Sequence, residues 1–186
     1  QSANIKAIVM DINSGGGTAF SGMEVSDTLS RAVKPTISVI RETGASGAYW
    51  LALGTDTIFA SQNSDVGGIG ITLSYLDTAR QNQMEGLTYN TIVSGKYKDM
   101  LNPDKYLTYD EKIRAQRDVD IVHEYFIKAV AEKRNLDIDK VRVLADGSTM
   151  AGEMALENDL IDKIGGVYEA EQYLEEILDE EVIFCQ

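Results

Sequence analysis

The chain has 186 residues, 44% of them hydrophobic and 25% charged, which suits one globular domain with a sizeable core. Its formal net charge of −13 repels phosphate backbones and argues against nucleic acid as a partner. No apolar run approaches the roughly 20 residues of a membrane helix. A single cysteine, Cys185, and a single histidine, His123, exclude an internal disulfide and any mechanism or metal site that needs two of either.

The sequence opens on Gln1, not Met, and reads as an excised or processed piece; a lost leader or anchor stays open. Ile5 to Ile12 is a nearly continuous apolar run that predicts a buried strand. It ends in Asn13-Ser14-Gly15-Gly16-Gly17, a loop that glycines make easily. Ser21 and Glu24 form a capping-box pattern ahead of a helix that Pro35 stops. Thr36 to Ile40 is β-branched and predicts the next strand, closing a βαβ unit. Gly44-Ala45-Ser46-Gly47 leads into a short apolar helix, Ala48 to Leu53, and Thr57 to Ala60 reads as a third strand. Val66 to Leu73 is glycine-rich and extended.

A helix from about Leu76 to Met84 comes next, then a strand from Thr88 to Val93. Ser94 to Leu101 is a polar loop. Thr108 and Glu111 form a second capping box, opening a long helix to about Arg134 whose buried side carries Ile113, Val119, Val122, Phe126 and Val130. The last fifty residues read as short helices broken at Gly147, Gly152 and Gly165-Gly166. The acid-rich end, Glu175 to Glu181, reads as a solvated helix end. With no repeat or linker, the pattern is one α/β domain.

Ser46 sits between a strand and a helix. Flanking glycines let the backbone turn sharply, and N–H groups at the helix start could hold a developing oxyanion. The spacing is not G-x-S-x-G, and an N-cap serine reads equally well from these residues. A nucleophilic serine needs a base. His123 lies mid-helix and lacks the second histidine of H-E-x-x-H, so it reads as structural. A lysine can serve if its pKa falls by about three units from near 10.4, a change of roughly 4 kcal/mol that burial can supply. Lys96 and Lys98, just after the predicted strand, are both candidates and both fit surface lysines as well. Gly15-Gly16-Gly17 and Gly67-Gly68-Ile69-Gly70 match neither phosphate-loop pattern; the first suits an oxyanion loop and the second close strand packing.

Together these segments resemble the signal peptide peptidase A family of serine–lysine peptidases, within the Clp protease/crotonase fold. IVMDINSGGG is similar to its strand and Asn-Ser-Pro-Gly-Gly loop, ETGASGAYWLAL to its nucleophile segment, and DTIFASQNSDVGGIGI to the segment ending Thr-Gly-Ser-Ile-Gly-Val. IVSGKYKDML resembles Ser-Gly-x-x-Lys-Asp, and LADGSTMAGEMALENDLIDKIGG the closing helices. The five matches run in order over nearly the whole chain.

The resemblance implies stacked βαβ units with a partly parallel sheet and flanking helices. It implies Ser46 as nucleophile, Lys98 as general base, and N–H groups of Gly17, Gly16 and Gly47 as oxyanion donors. Three departures stand out. Gly15 replaces the usual proline, Gly68 stands where a base-orienting serine is common, and a first strand and helix are missing ahead of Gln1. Thr72 or Ser74 are the candidates to orient the base instead.

The implied activity is hydrolysis of signal-peptide remnants or other unfolded apolar peptides, without metal or organic cofactor, in a ring-like homo-oligomer whose sites are shared between subunits. The implied location is membrane-associated with an extracytoplasmic catalytic domain, attached through a segment ahead of Gln1, the piece itself being soluble. Capsid-protein processing within the same family, a crotonase-type acyl-CoA enzyme and a non-catalytic scaffold are the rival readings.

Overall fold

The computed structural model describes residues 4–185. In chain order the elements are β1 (Ile8–Ser14), α1 (Ala19–Leu29), β2 (Thr36–Ala45), α2 (Gly47–Ala52), β3 (Thr57–Ala60), β4 (Asp65–Gly67), α3 (Ala79–Met84), α4 (Tyr109–Arg134), α5 (Ile138–Leu144), β5 (Thr149–Ala151), α6 (Gly152–Glu157), β6 (Lys163–Ile164) and α7 (Val167–Leu178). This is the α/β class expected from the alternating pattern. The residues fall into two compact units, 4–70 with 123–185, and 71–122.

The first unit is built on a six-stranded, partly parallel sheet centred on β2. Parallel β1 lies on one side of it; parallel β3 and β4 share the other, each against a different half. β6 continues the sheet in parallel beyond β3, and β5 pairs antiparallel with β4. β2 takes the central place because Thr36 to Ile40 is buried on both faces, as a near-continuous apolar run should be. Ile37, Val39 and Phe59 bury one face against Ala170 and Leu174 of α7. Trp50 of α2 stacks on Phe126 of α4 with ring centroids 4.4 Å apart.

The register between β1 and β2 runs evenly from Ile8↔Thr36 to Ile12↔Ile40 and then slips, Ser14 lying opposite Gly44. Residues 41–43 therefore bulge where β1 spends only Asn13. Asn13 Oδ1 accepts the N–H of Thr43 at 3.2 Å inside this bulge. Such a bulge bends a strand and re-aims the residues beyond it. Beyond β1 lies the glycine loop, and beyond β2 lies Ser46.

The second unit holds α3, the first half of α4 and long irregular connections. Thr108 caps α4 as expected: its Oγ1 accepts the N–H of Glu111 at 3.3 Å, and Glu111 Oε2 accepts the N–H of Thr108 at 2.9 Å. Several expectations need correction. Thr18, not Ser21, caps α1, because the helix starts three residues earlier and Thr18 Oγ1 takes the Ser21 N–H. Thr88 to Val93 forms no strand: no ladder partner exists for it among the described residues, and Ile92 is fully exposed. Ile113 is 51% exposed, whereas Phe126 and Val130 are buried. Gly152 opens α6 rather than breaking a helix.

Candidate active site

The chain passes from β2 into α2 through one residue, Ser46, whose φ of 53° and ψ of −125° lie in a region that side-chain-bearing residues rarely adopt. Backbone bonds hold it there. Its N–H donates to Gly67 O at 2.8 Å, and its C=O accepts from Trp50 N at 2.9 Å in the first turn of α2. The helix behind it is anchored deeply. Tyr49 is fully buried and donates its hydroxyl to Leu160 O at 2.7 Å; burial pushes its phenol pKa far up. Arg134 fixes the loop that carries this acceptor, through two bonds to the Asp162 carboxylate and one to Asp159 O.

The Ser46 hydroxyl makes no capping bond to α2. The reading of Ser46 as an ordinary N-cap therefore fails, and its oxygen has no hydrogen-bond partner among the described residues. Around it the glycines are set by contact. A Cβ on Gly16, which has φ +119°, would lie 2.8 Å from Ser46 Cβ and 3.1 Å from Gly47 N. A Cβ on Gly47 would lie 3.2 Å from Gly17 N. The loop after β1 is thus seated directly on the serine turn, and only glycine permits that approach.

The three expected donor amides differ. Gly16 N–H donates to Ser14 Oγ at 3.2 Å. Gly17 N–H and Gly47 N–H make no hydrogen bond within the described residues. Gly68 has φ +59°, and its Cβ would stand 3.1 Å from Ser46 N and 3.2 Å from Ala45 Cβ. Close packing against the serine turn explains glycine there.

Lys98, Thr72 and Ser74 belong to the second unit. Lys98 lies in the turn over residues 96–101, exposed, with no side-chain partner among the described residues. Thr72 and Ser74 are exposed. Lys96 Nζ is 2.8 Å from Asp110 Oδ2, and this hydrogen bond, helped by Tyr97, pushes its pKa up to about 12. His123 is half-buried in α4 and its Nε2 has no partner among the described residues, in keeping with a structural histidine. No group of three His, Cys, Asp or Glu among the described residues could hold a metal ion. No helix among them is long and apolar enough to cross a membrane.

Two residues near the serine escaped sequence reasoning. Ser14 occupies the Gly16 amide, and Asn13 ties the loop to β2. The signal for the first was a serine two positions before a glycine, the spacing of a local side-chain turn.

An α/β sheet that ends in a glycine-framed serine at a strand-to-helix turn, with open amides beside it, is the arrangement of hydrolases that use a serine nucleophile. The comparison with known families is specific: the chain belongs to peptidase family S49, whose sequence model matches residues 28–181. Among its relatives is a protein of Enterococcus faecium provisionally named signal peptide peptidase SppA, 33% identical over 178 residues, covering 94% of this chain and 50% of that one. The chloroplastic serine protease SPPA of Arabidopsis thaliana is 28% identical, with 91% of this chain and 26% of that one covered. The head-tail preconnector protein GP5 of Enterobacteria phage P21 is 25% identical, with 87% and 32% covered. The chain thus spans half or less of the length of these relatives.

Proposed function

We propose that the chain is the catalytic part of a serine endopeptidase in which Ser46 attacks a peptide carbonyl and Lys98 is the base. The observation that carries this is Ser46 itself: a strained turn, an uncommitted hydroxyl, and the open N–H groups of Gly17 and Gly47 beside it. In the proposed reaction neutral Lys98 takes the Ser46 proton as the oxygen bonds to the carbonyl carbon. Gly17 and Gly47 N–H groups hold the resulting oxyanion. The Gly16 amide, occupied by Ser14, serves the loop's shape. As the C–N bond breaks, protonated Lys98 returns its proton to the leaving amine, and water then hydrolyses the acyl-enzyme.

Lys98 fits this role better than Lys96. Lys96 is committed to Asp110, which favours its charged form; Lys98 has no such commitment among the described residues. A neutral lysine also demands burial, and Lys98 is exposed in the single chain. We assign that burial to assembly into a homo-oligomer in the Clp protease/crotonase manner, with a neighbouring copy covering the second unit. Leu76, Met84, Leu87 and Ile92 of that unit are each more than half exposed, apolar side chains that a covering partner would bury.

The substrates under this reading are unfolded apolar peptides such as signal-peptide remnants. Similarity to the phage head-tail preconnector protein is compatible with a second substrate class, capsid proteins. For the longer protein the reading includes membrane association through a segment ahead of Gln1.

The test is cleavage of an unfolded apolar peptide by the wild type, Ser46→Ala and Lys98→Ala, with Lys96→Ala alongside. Loss in the first two variants and near-wild-type rate in the last is expected. Equal activity in all four would sink the peptidase reading in favour of an acyl-CoA enzyme or scaffold. Full activity in Lys98→Ala alone would remove the base.

A further inference from the structure

An irregular segment is ordinarily mobile, yet a reacting group must be held to within a fraction of an ångström. Residues 87–108 contain no helix or strand, and Lys98 lies near their middle. The turn that carries it is nevertheless held at both shoulders, entirely by groups of the second unit.

On one side, Asp99 Oδ1 accepts from the Tyr89 hydroxyl at 3.0 Å and from Asn102 Nδ2 at 2.9 Å. Asn102 Nδ2 also reaches the Tyr89 oxygen at 2.8 Å, which closes a triangle of three side chains. Asn102 Oδ1 in turn accepts the N–H of Asp104 at 2.9 Å. On the other side, the Tyr97 hydroxyl donates to Asp110 in the first turn of α4, and the Arg114 guanidinium lies 3.7 Å from the centre of the Tyr97 ring. Hydrogen bonds from Lys96 and Tyr97 hold the Asp110 carboxyl below its usual range. Both residues flanking Lys98 are therefore tied down, and the Lys98 side chain between them has no partner among the described residues.

Two further features say that this arrangement is imposed. The turn is bracketed by left-handed residues, Gly95 at φ +111° and Leu101 at φ +66°. The second is unfavourable for leucine and persists only where surroundings over-determine it. Asp99 Oδ2 is buried with no partner among the described residues, a cost to stability that a hydrophobic residue would avoid.

We propose that Asp99 is a positioning residue for Lys98, acting with Tyr89 and Asn102, while Asp110 secures the opposite shoulder through Tyr97. This rests on the reading of Lys98 as base. Its role is geometric: it fixes the backbone from which the Lys98 side chain extends, and so supplies the orientation that Gly68 does not.

The experiment measures kcat, KM and the pH profile of the full chain on an unstructured Ala/Leu/Val peptide bearing a fluorophore–quencher pair. The variants are Asp99→Ala, Asp99→Asn, Tyr89→Phe and Lys98→Ala, each checked for a cooperative thermal melt. Asp99→Ala should lower kcat roughly tenfold to a hundredfold with KM within about twofold. Asp99→Asn keeps an acceptor oxygen for Tyr89 and Asn102, and should recover to within about threefold of wild type with the acid limb of the profile unmoved. If Asp99→Ala does not fold, Tyr89→Phe removes one bond to the same oxygen and should lower kcat in the same sense.

Wild-type kcat in Asp99→Ala or Tyr89→Phe, equal losses in the Ala and Asn variants, or a rise in KM alone would overturn the proposal. A moved acid limb with intact kcat in Asp99→Asn would do so too, since charge and not geometry would then matter. Wild-type rate in Lys98→Ala would instead remove the base assignment on which the proposal stands.

Discussion

Gly16→Ala tests whether the loop after β1 must sit on the serine turn. The added Cβ would lie 2.8 Å from Ser46 Cβ, 3.0 Å from Ala45 O and 3.1 Å from Gly47 N, at a φ of +119° that alanine rarely adopts. Carbon–carbon contact is comfortable from about 3.5 Å, so the loop must retreat by about 0.7 Å. Two of the three obstacles are backbone atoms of a turn pinned by Gly67 O and Trp50 N, so the loop yields rather than the turn. Strain of this kind costs about 1–3 kcal/mol, or a melting temperature lower by roughly 3–10 °C in a chain of this length. The retreat carries the next amide, Gly17 N–H, away from Gly47. Under the proposed mechanism kcat then falls about tenfold to a hundredfold. Gly15→Ala is the internal control: a Cβ there meets nothing within 4 Å, and its φ is not left-handed. It should leave kcat within about twofold and the melt within about 2 °C. The assay pairs a thermal melt with steady-state peptide cleavage on both variants. If Gly16→Ala behaves as Gly15→Ala does, the seating of the loop has no bearing on stability or rate, and the reasoning fails.

Two further variants probe the frame. Glu111 is 4% exposed and its carboxyl is held low, first by the Lys105 hydrogen bond and then by the Thr108 N–H. A depressed carboxylate contributes stability that is present above its unfolded pKa and lost as pH falls through its folded one. Glu111→Gln keeps the cap and loses the ion pair, so denaturant melts should show it about 1–2 kcal/mol less stable at pH 7. That difference should shrink as pH falls below the ordinary glutamate range and vanish once the lowered folded carboxyl is itself protonated; a difference independent of pH would refute the ion-pair account. Tyr49→Phe leaves the buried Leu160 carbonyl without its donor and should cost about 1–3 kcal/mol in the same melts. A neutral result would mean that another donor reaches Leu160 O.

The fold was legible where burial and local bonding agree. Thr36 to Ile40 and Thr57 to Ala60 are apolar because both their faces are covered, and both strands stand where periodicity puts them. Thr108 and Glu111 cap α4 because the cap is a four-residue event with no distant partner. Thr88 to Val93 has equally strong strand propensity and forms no strand, since a ladder needs a second backbone and none is supplied within the described residues. β5 and β6 were missed for the opposite reason. They are three and two residues long, too short to carry a period, and exist because β4 and β3 offer them an edge.

The proposed nucleophile and its proposed base differ in the same way. Ser46 at least has a local frame: glycines stand close on either side, with a strand before and a helix after, although an N-cap serine fits those residues equally well and its strained φ is held by the distant Gly67 carbonyl. A lysine base has no such neighbourhood. Lys96 and Lys98 are two residues apart in one polar turn, and nothing adjacent separates them. What separates them is Asp110, fourteen residues on from Lys96, which binds that lysine and leaves Lys98 alone. The order of motifs along the chain selects Lys98 without reference to that carboxylate. The ion pair at Lys96 supports the same choice on physical grounds, because a lysine held charged by Asp110 cannot accept the serine proton until that bond is given up. Asp110 thus does two things at once under the proposed mechanism: it removes the wrong lysine from competition and, through Tyr97, steadies the turn that presents the right one.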